Sequence, residues 1–149
     1  IGFIHQPDRE QRKGYKTRIQ VFHEFAVTQG ERSLSALQTL QNFFGVGHLI
    51  VNRRRDNHKE PLYRYVVRKR SALLEVIIPF FRQHPLRTAK WDDFEKFARC
   101  VEWMAAGYHR TPEGLQAIAE IVATMNRRKD RAGRIRILRD HTPGTSTMR

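Results

Sequence analysis

One cysteine in 149 residues, Cys100, leaves no partner for an intrachain disulfide and no set of thiolates for a zinc site. That fits a reducing interior, so the expected location is intracellular, cytoplasmic or organellar, and not secreted. The chain has no apolar run of about 18 residues, no signal-peptide pattern and no stretch joining a basic helical face to a broad apolar one, which argues against a membrane partner. Its seven histidines never fall at H-x-x-x-H or H-E-x-x-H spacing, which argues against a zinc enzyme, and no glycine-rich loop of the Walker or dinucleotide kind occurs. No Ser/His/Asp arrangement is legible. Acids are scarce as well: 15 Asp and Glu stand against 28 Lys and Arg, a formal charge of +13. An excess of that size goes beyond what solubility needs and favours a polyanionic partner through counterion release, with nucleic acid the first expectation.

What is there is a chain that is 40% hydrophobic, enough for one compact domain over residues 1–126, with a basic tail at 127–149. Its organising stretch is TRIQVFHEFAVTQ, Thr17 to Gln29, which alternates as one long half-buried strand. The odd positions, Ile19, Val21, His23, Phe25 and Val27, form a face that wants a core. The even positions, Arg18, Gln20, Phe22, Glu24, Ala26 and Thr28, present donors and acceptors. Guanidinium and amide groups in that array suit base edges, which they read in bidentate pairs; a plain solvated face would carry the same residue types.

Ile1 to Ile4 reads as the end of a strand pairing with it, across a polar loop from Gln6 to Lys16 whose Arg12, Lys13 and Lys16 reach for phosphates. Ser33 is placed to cap a helix carrying Leu34, Leu37, Leu40 and Phe44, closed by Gly45 and Gly47. A second hairpin follows, His48 to Arg53 and Leu62 to Lys69, around RRRDNHKEP with Arg53 and Arg54. Leu49, Val51, Tyr63, Tyr65 and Val67 are expected to face the core. His48, Ile50, Asn52, Arg64, Val66 and Arg68 then share the polar face with Arg18, Gln20, Glu24 and Thr28; the apolar Phe22 and Ile50 on it either meet thymine methyls or mark a local fault in the face assignment.

From Ser71 the period becomes helical, with Leu73, Leu74, Ile77, Ile78 and Phe81 inward and Pro79 straining the last turn. A helix from about Ala89 to Ala106 turns Trp91, Phe94, Phe97, Ala98, Val101 and Ala105 inward and leaves through Gly107. Thr111-Pro112-Glu113 opens another, completed by Leu115, Ile118, Val122 and Met125. The tail segment RRKDRAGRIRILRD carries seven cations against two acids, as a solvated tail or a phosphate-contacting arm.

The order of these elements, with FAVTQ (25–29), FFGVGHL (43–49), YRYVV (63–67), LLEVIIPFF (73–81), HPLRTAKWDDFEKF (84–97) and TPEGLQAIAEI running on to Met125-Asn126, resembles the LAGLIDADG homing endonucleases of the single-motif, homodimeric type. The resemblance implies an α+β fold, αββαββα when complete and ββαββα here. It also implies a saddle-shaped antiparallel sheet over the major groove of double-stranded DNA, further C-terminal helices, and a Mg²⁺-dependent double-strand cut. It implies that Gln29 positions the attacking water and that Lys90 stabilises charge at the scissile phosphate. The family's defining helix, which ends in Gly-Asp/Glu-Gly and holds both the metal-binding acid and the dimer seam, has no match; Ile1 to Ile4 looks like the strand after it, so that acid is expected upstream of residue 1. The other alignment sets Ile1-Gly2-Phe3-Ile4 on the motif's own start and leaves HQPD where the acidic turn belongs. Asp92, Asp93, Glu95, Glu113 and Glu120 read as solvated or dipole-complementing helix acids, so no metal ligand is assigned in this chain. A non-cleaving DNA-binding module of the same fold, serving as a regulator or intron-splicing helper, and a basic RNA-binding protein are the alternative readings.

Overall fold

A computed structural model of the chain describes residues 1–5, 19–52 and 61–125. Its elements run β1 (Gly2–His5), β2 (Ile19–Phe22), β3 (Phe25–Gly30), a 3-10 turn (Glu31–Ser33) and α1 (Leu34–Phe44). Then come β4 (His48–Asn52), β5 (Leu62–Val67), α2 (Arg70–Ala72), a π-helical stretch (Leu73–Ile77), α3 (Ile78–Gln83), α4 (Lys90–Ala105), a second 3-10 turn (Tyr108–Arg110) and α5 (Pro112–Thr124). This is the expected α+β class with antiparallel sheets. The chain divides into two compact units, one holding residues up to Phe22 and from Leu86 onward, the other His23–Pro85.

The expected single strand from Thr17 to Gln29 is two strands among the described residues. β2 ends at Phe22, β3 begins at Phe25, and His23 and Glu24 lie in neither. The alternation of side chains runs straight through the break, because period two reports which way a residue faces and not which strand it pairs with. The two halves take different partners. β2 pairs antiparallel with β1, Phe3 opposite Val21 and Ile4 opposite Gln20, while β3 pairs with β5, Val27 opposite Tyr65 and Thr28 opposite Arg64. β5 is central in a three-stranded sheet of order β3-β5-β4, and β1 and β2 form a separate two-stranded sheet.

In the first unit the inward face of β2 supplies Ile19 and Val21 to a core built with Cys100 and Met104 of α4 and Leu115, Ile118, Ala119 and Val122 of α5; Phe3 packs against it. Burial pushes the Cys100 thiol up to about 11, so it is a packed, inert group at neutral pH. On α4 the buried stripe is Phe94, Phe97, Ala98, Cys100, Val101 and Met104. Ala105, expected inward, is exposed, because the stripe turns at the helical period toward Cys100 and Met104. α5 starts as its sequence dictates: the Thr111 hydroxyl accepts from the Gly114 N–H at 3.0 Å and Pro112 takes the first turn.

In the second unit the helix-covered side of the sheet carries Phe25, Tyr65 and Val67. Phe44 of α1 stacks on Tyr65 with ring centroids 6.3 Å apart, and Phe81 of α3 meets Phe25 at 5.6 Å. The Tyr65 hydroxyl donates to the Val46 carbonyl at 2.7 Å, and burial raises its pKa, keeping it a donor. Gly47 lies so close to the sheet that a Cβ there would meet the Val66 carbonyl oxygen at 2.5 Å, at a φ of +80°. Val51, expected in the core, is 48% exposed, since the aromatic cover does not extend to that end of β4. Ser33 occupies the N-cap position of α1 but makes no side-chain capping bond; the preceding 3-10 turn brings the chain in with φ −108° and ψ 19°, outside the extended geometry a capping side chain needs. The helix expected from Ser71 widens into the π-helical stretch immediately before Pro79, which offers no N–H to the preceding turn.

Candidate nucleic-acid interface

Register decides which side chains share the open face of the three-stranded sheet. Ala26, Val66 and His48 form one row across β3, β5 and β4; Thr28, Arg64 and Ile50 form the next; Gly30, Leu62 and Asn52 the third. Thr28, His48, Asn52 and Arg64 therefore occupy one face, as the alternation predicts. Thr28 and His48 are exposed, and Arg64 and Ile50 half-buried. Val66, expected to face outward with them, has no exposed surface at all and contributes nothing to recognition.

On that face Glu24 holds the two arginines on either side of Val66. Its carboxylate accepts from Arg64 Nη2 on one oxygen and from Arg68 Nε at 2.6 Å on the other. Arg64 and Arg68 flank Val66 on the same face of β5 and its continuation, so the bridge spans that residue. The Glu24 side chain is 9% exposed, against 27% for Arg64 and 46% for Arg68. The sequence reading places all three on the polar face but does not show that they hold one another. Their shared parity is the signal for it: an acid facing two cations on one side of a sheet.

Gln20 lies half-buried in β2, on the open side of the two-stranded sheet beside Ile4, 47% exposed, and Phe22, 37% exposed. Arg12, Lys13, Lys16, Arg18, Arg53 and Arg54, and the tail at 127–149, lie outside the described residues, and Asn52 is described only as a strand position. Gln29 is exposed in β3, opposite Tyr63 and thus on the helix-covered side by register. Lys90 opens α4 in the other unit, exposed, with its Nζ 3.6 Å from Asp93 Oδ2. Among the described residues no three His, Cys, Asp or Glu side chains are grouped to hold a metal ion, and no helix is long and apolar enough to cross a membrane.

An antiparallel sheet with helices behind one side and a mixed basic and amide array on the other is the architecture of a LAGLIDADG endonuclease domain. The chain belongs to that family: the model described as "LAGLIDADG endonuclease" matches residues 3–101. The "Probable intron-encoded endonuclease 2" of Neurospora crassa is 28% identical over 101 residues, 68% of this chain but 21% of that protein, so the chain spans about a fifth of the length of the curated relative it matches. Among solved structures, the homing endonuclease I-TnaI is 35% identical with a TM-score of 0.75, over 93% of this chain and 85% of that one. The meganuclease I-SmaMI, solved bound to uncleavable DNA, is 28% identical with a TM-score of 0.72, over 87% of this chain and 42% of that one.

Proposed function

We propose that this chain is the DNA-reading part of a sequence-specific homing endonuclease, with the open face of β3-β5-β4 set in the major groove of a duplex. The observation that carries this is the register that gathers Thr28, His48, Asn52 and Arg64 on one face, within a chain of charge +13. Three strands and three rows give a face roughly 10 Å by 13 Å, commensurate with a major groove about 12 Å wide. I-SmaMI, the DNA-bound relative, supports the choice of duplex. Because this chain covers 42% of I-SmaMI, two copies over one target are proposed, as a homodimer.

Arg18, Gln20, Arg64, Arg68, Thr28, His48 and Asn52 are assigned to base edges, with Arg12, Lys13, Lys16, Arg53 and Arg54 on or near phosphates. Gln29 and Lys90 are proposed as the residues that orient water and stabilise charge at the scissile phosphate. Cleavage by the intact protein is proposed to depend on Mg²⁺. Among the described residues no three His, Cys, Asp or Glu side chains are grouped to hold that ion, and the metal-binding carboxylate is proposed to lie upstream of residue 1.

The test is selection from a randomised duplex pool. Wild type is expected to enrich defined base pairs, and Arg64→Ala or Gln20→Ala to lose about 1–3 kcal/mol of discrimination at one position each. A uniform weakening on all sequences would make these phosphate contacts instead. In the same tubes with Mg²⁺, residues 1–149 are expected to bind without nicking; robust nicking would overturn the placement of the acid.

A further inference from the structure

Glu24 sits oddly in a surface meant for a polyanion. It is an acid on the most basic part of the open face, nearly withdrawn from water, with one guanidinium on each oxygen. A carboxylate contacting a base needs an open oxygen, for instance toward a cytosine amino group. Both Glu24 oxygens are already engaged by the protein.

Two guanidinium groups close together on a sheet would, left to themselves, swing to whichever phosphates lie nearest. That is the sequence-independent part of DNA binding. Reading a guanine takes the opposite property, a guanidinium plane held at a fixed angle so that two parallel N–H groups meet O6 and N7. A carboxylate that accepts one N–H from each guanidinium restrains where both can point. It also cancels one of their two charges and places a negative group where a wrongly docked phosphate would come.

We infer that Glu24 is a positioning residue for specificity: through the Arg64–Glu24–Arg68 bridge it aims two guanidinium groups at base edges and suppresses their binding to phosphate. This rests on the duplex-reading function proposed above and deepens it. The bridge raises the ratio of specific to non-specific binding by lowering the second term. An acid on a DNA-facing surface is then an asset, although removing it would tighten overall binding.

The experiment uses the full chain and a randomised duplex pool, comparing Glu24→Gln with Glu75→Gln, an exposed acid of the π-helical stretch that controls for the loss of one negative charge. Folding is verified first by circular dichroism, since Arg64 is only 27% exposed and loses a partner. Relative to E75Q, E24Q is expected to bind the pool about tenfold more tightly, with a log affinity against log salt slope steeper by about 1 to 2. It is also expected to lose base enrichment at the positions that Arg64→Ala and Arg68→Ala each flatten. The double variant E24Q/R68Q, which removes one of the two guanidinium groups, is expected to return most of the added slope, and it serves where the single variant folds poorly. E24Q matching E75Q in affinity, slope and enrichment overturns the inference. So does a lost preference at one base pair with an unchanged slope, the result for an acid that reads a base itself. A wild-type chain that binds no duplex brings down the proposed function as well; a wild type that binds with preference, matched by E24Q, removes the bridge's role alone.

Discussion

Raising salt from about 50 to about 200 mM is expected to weaken duplex binding by about a thousandfold or more. Log affinity falls with log salt at roughly 0.9 per phosphate neutralised, and about 6–10 contacts bring the loss into that range. The chain has cations to spare for this: a net +13, with Arg12, Lys13 and Lys16 in one polar stretch and Arg53 and Arg54 in another. Replacing Lys13 or Arg54 by Ala is expected to lower affinity equally on all sequences and to flatten the slope by about 0.9 each. Titrations at four or five salt concentrations measure both. A total loss under tenfold would show that the positive charge is not engaged with phosphates, and an unchanged slope in Lys13→Ala would take that stretch out of the interface.

Gly114→Ala is expected to destabilise the protein by about 3 kcal/mol or more. The reason is space and not backbone conformation. A Cβ at Gly114 would lie 2.0 Å from the Tyr108 carbonyl oxygen and 2.7 Å from its carbon, and backbone cannot step aside as a side-chain tip can. The same carbonyl accepts from the Thr111 N–H and hydroxyl, both at 3.1 Å, so pushing it away also loosens the cap of α5. Overpacking commonly costs about 1–3 kcal/mol and more where nothing yields, which for a chain of this size lowers Tm by roughly 6–12 °C. Gly45→Ala is the contrast. Gly45 has φ +65° and nothing within 4 Å of a built Cβ, so only the left-handed backbone is strained, at about 1–2 kcal/mol. Denaturant melts that place the two substitutions level would show that α5 and its preceding turn are not packed as closely as described.

Gly114 also shows where sequence reading stops. Within PEGLQAI it looks like a weak spot in a helix, and nothing local says that a carbonyl from the preceding turn occupies the space. Thr111-Pro112, by contrast, is legible because capping is chemistry between near neighbours. The faces of β4 and β5 were legible for a similar reason: alternation maps directly onto the two sides of a sheet, so His48, Asn52 and Arg64 share a face with Thr28 as expected. The division of residues 17–29 between two sheets was not, because choice of partner strand leaves no mark on the alternation. The Glu24 bridge to Arg64 and Arg68 is not legible either, since parity brings charges together but does not say whether they meet each other or a ligand. Gln29 and Lys90 rest on resemblance alone; neither residue's surroundings single it out.

The central claim is that the open polar face of this LAGLIDADG domain reads the base sequence of double-stranded DNA. It is tested most directly by letting a randomised DNA duplex pool and a structured RNA compete for the chain at physiological salt, then sequencing the duplexes retained. The account predicts that duplex DNA is held in preference to RNA and that the retained duplexes share defined base pairs. RNA held as well as or better than duplex, or retained duplexes as random as the input, would contradict it.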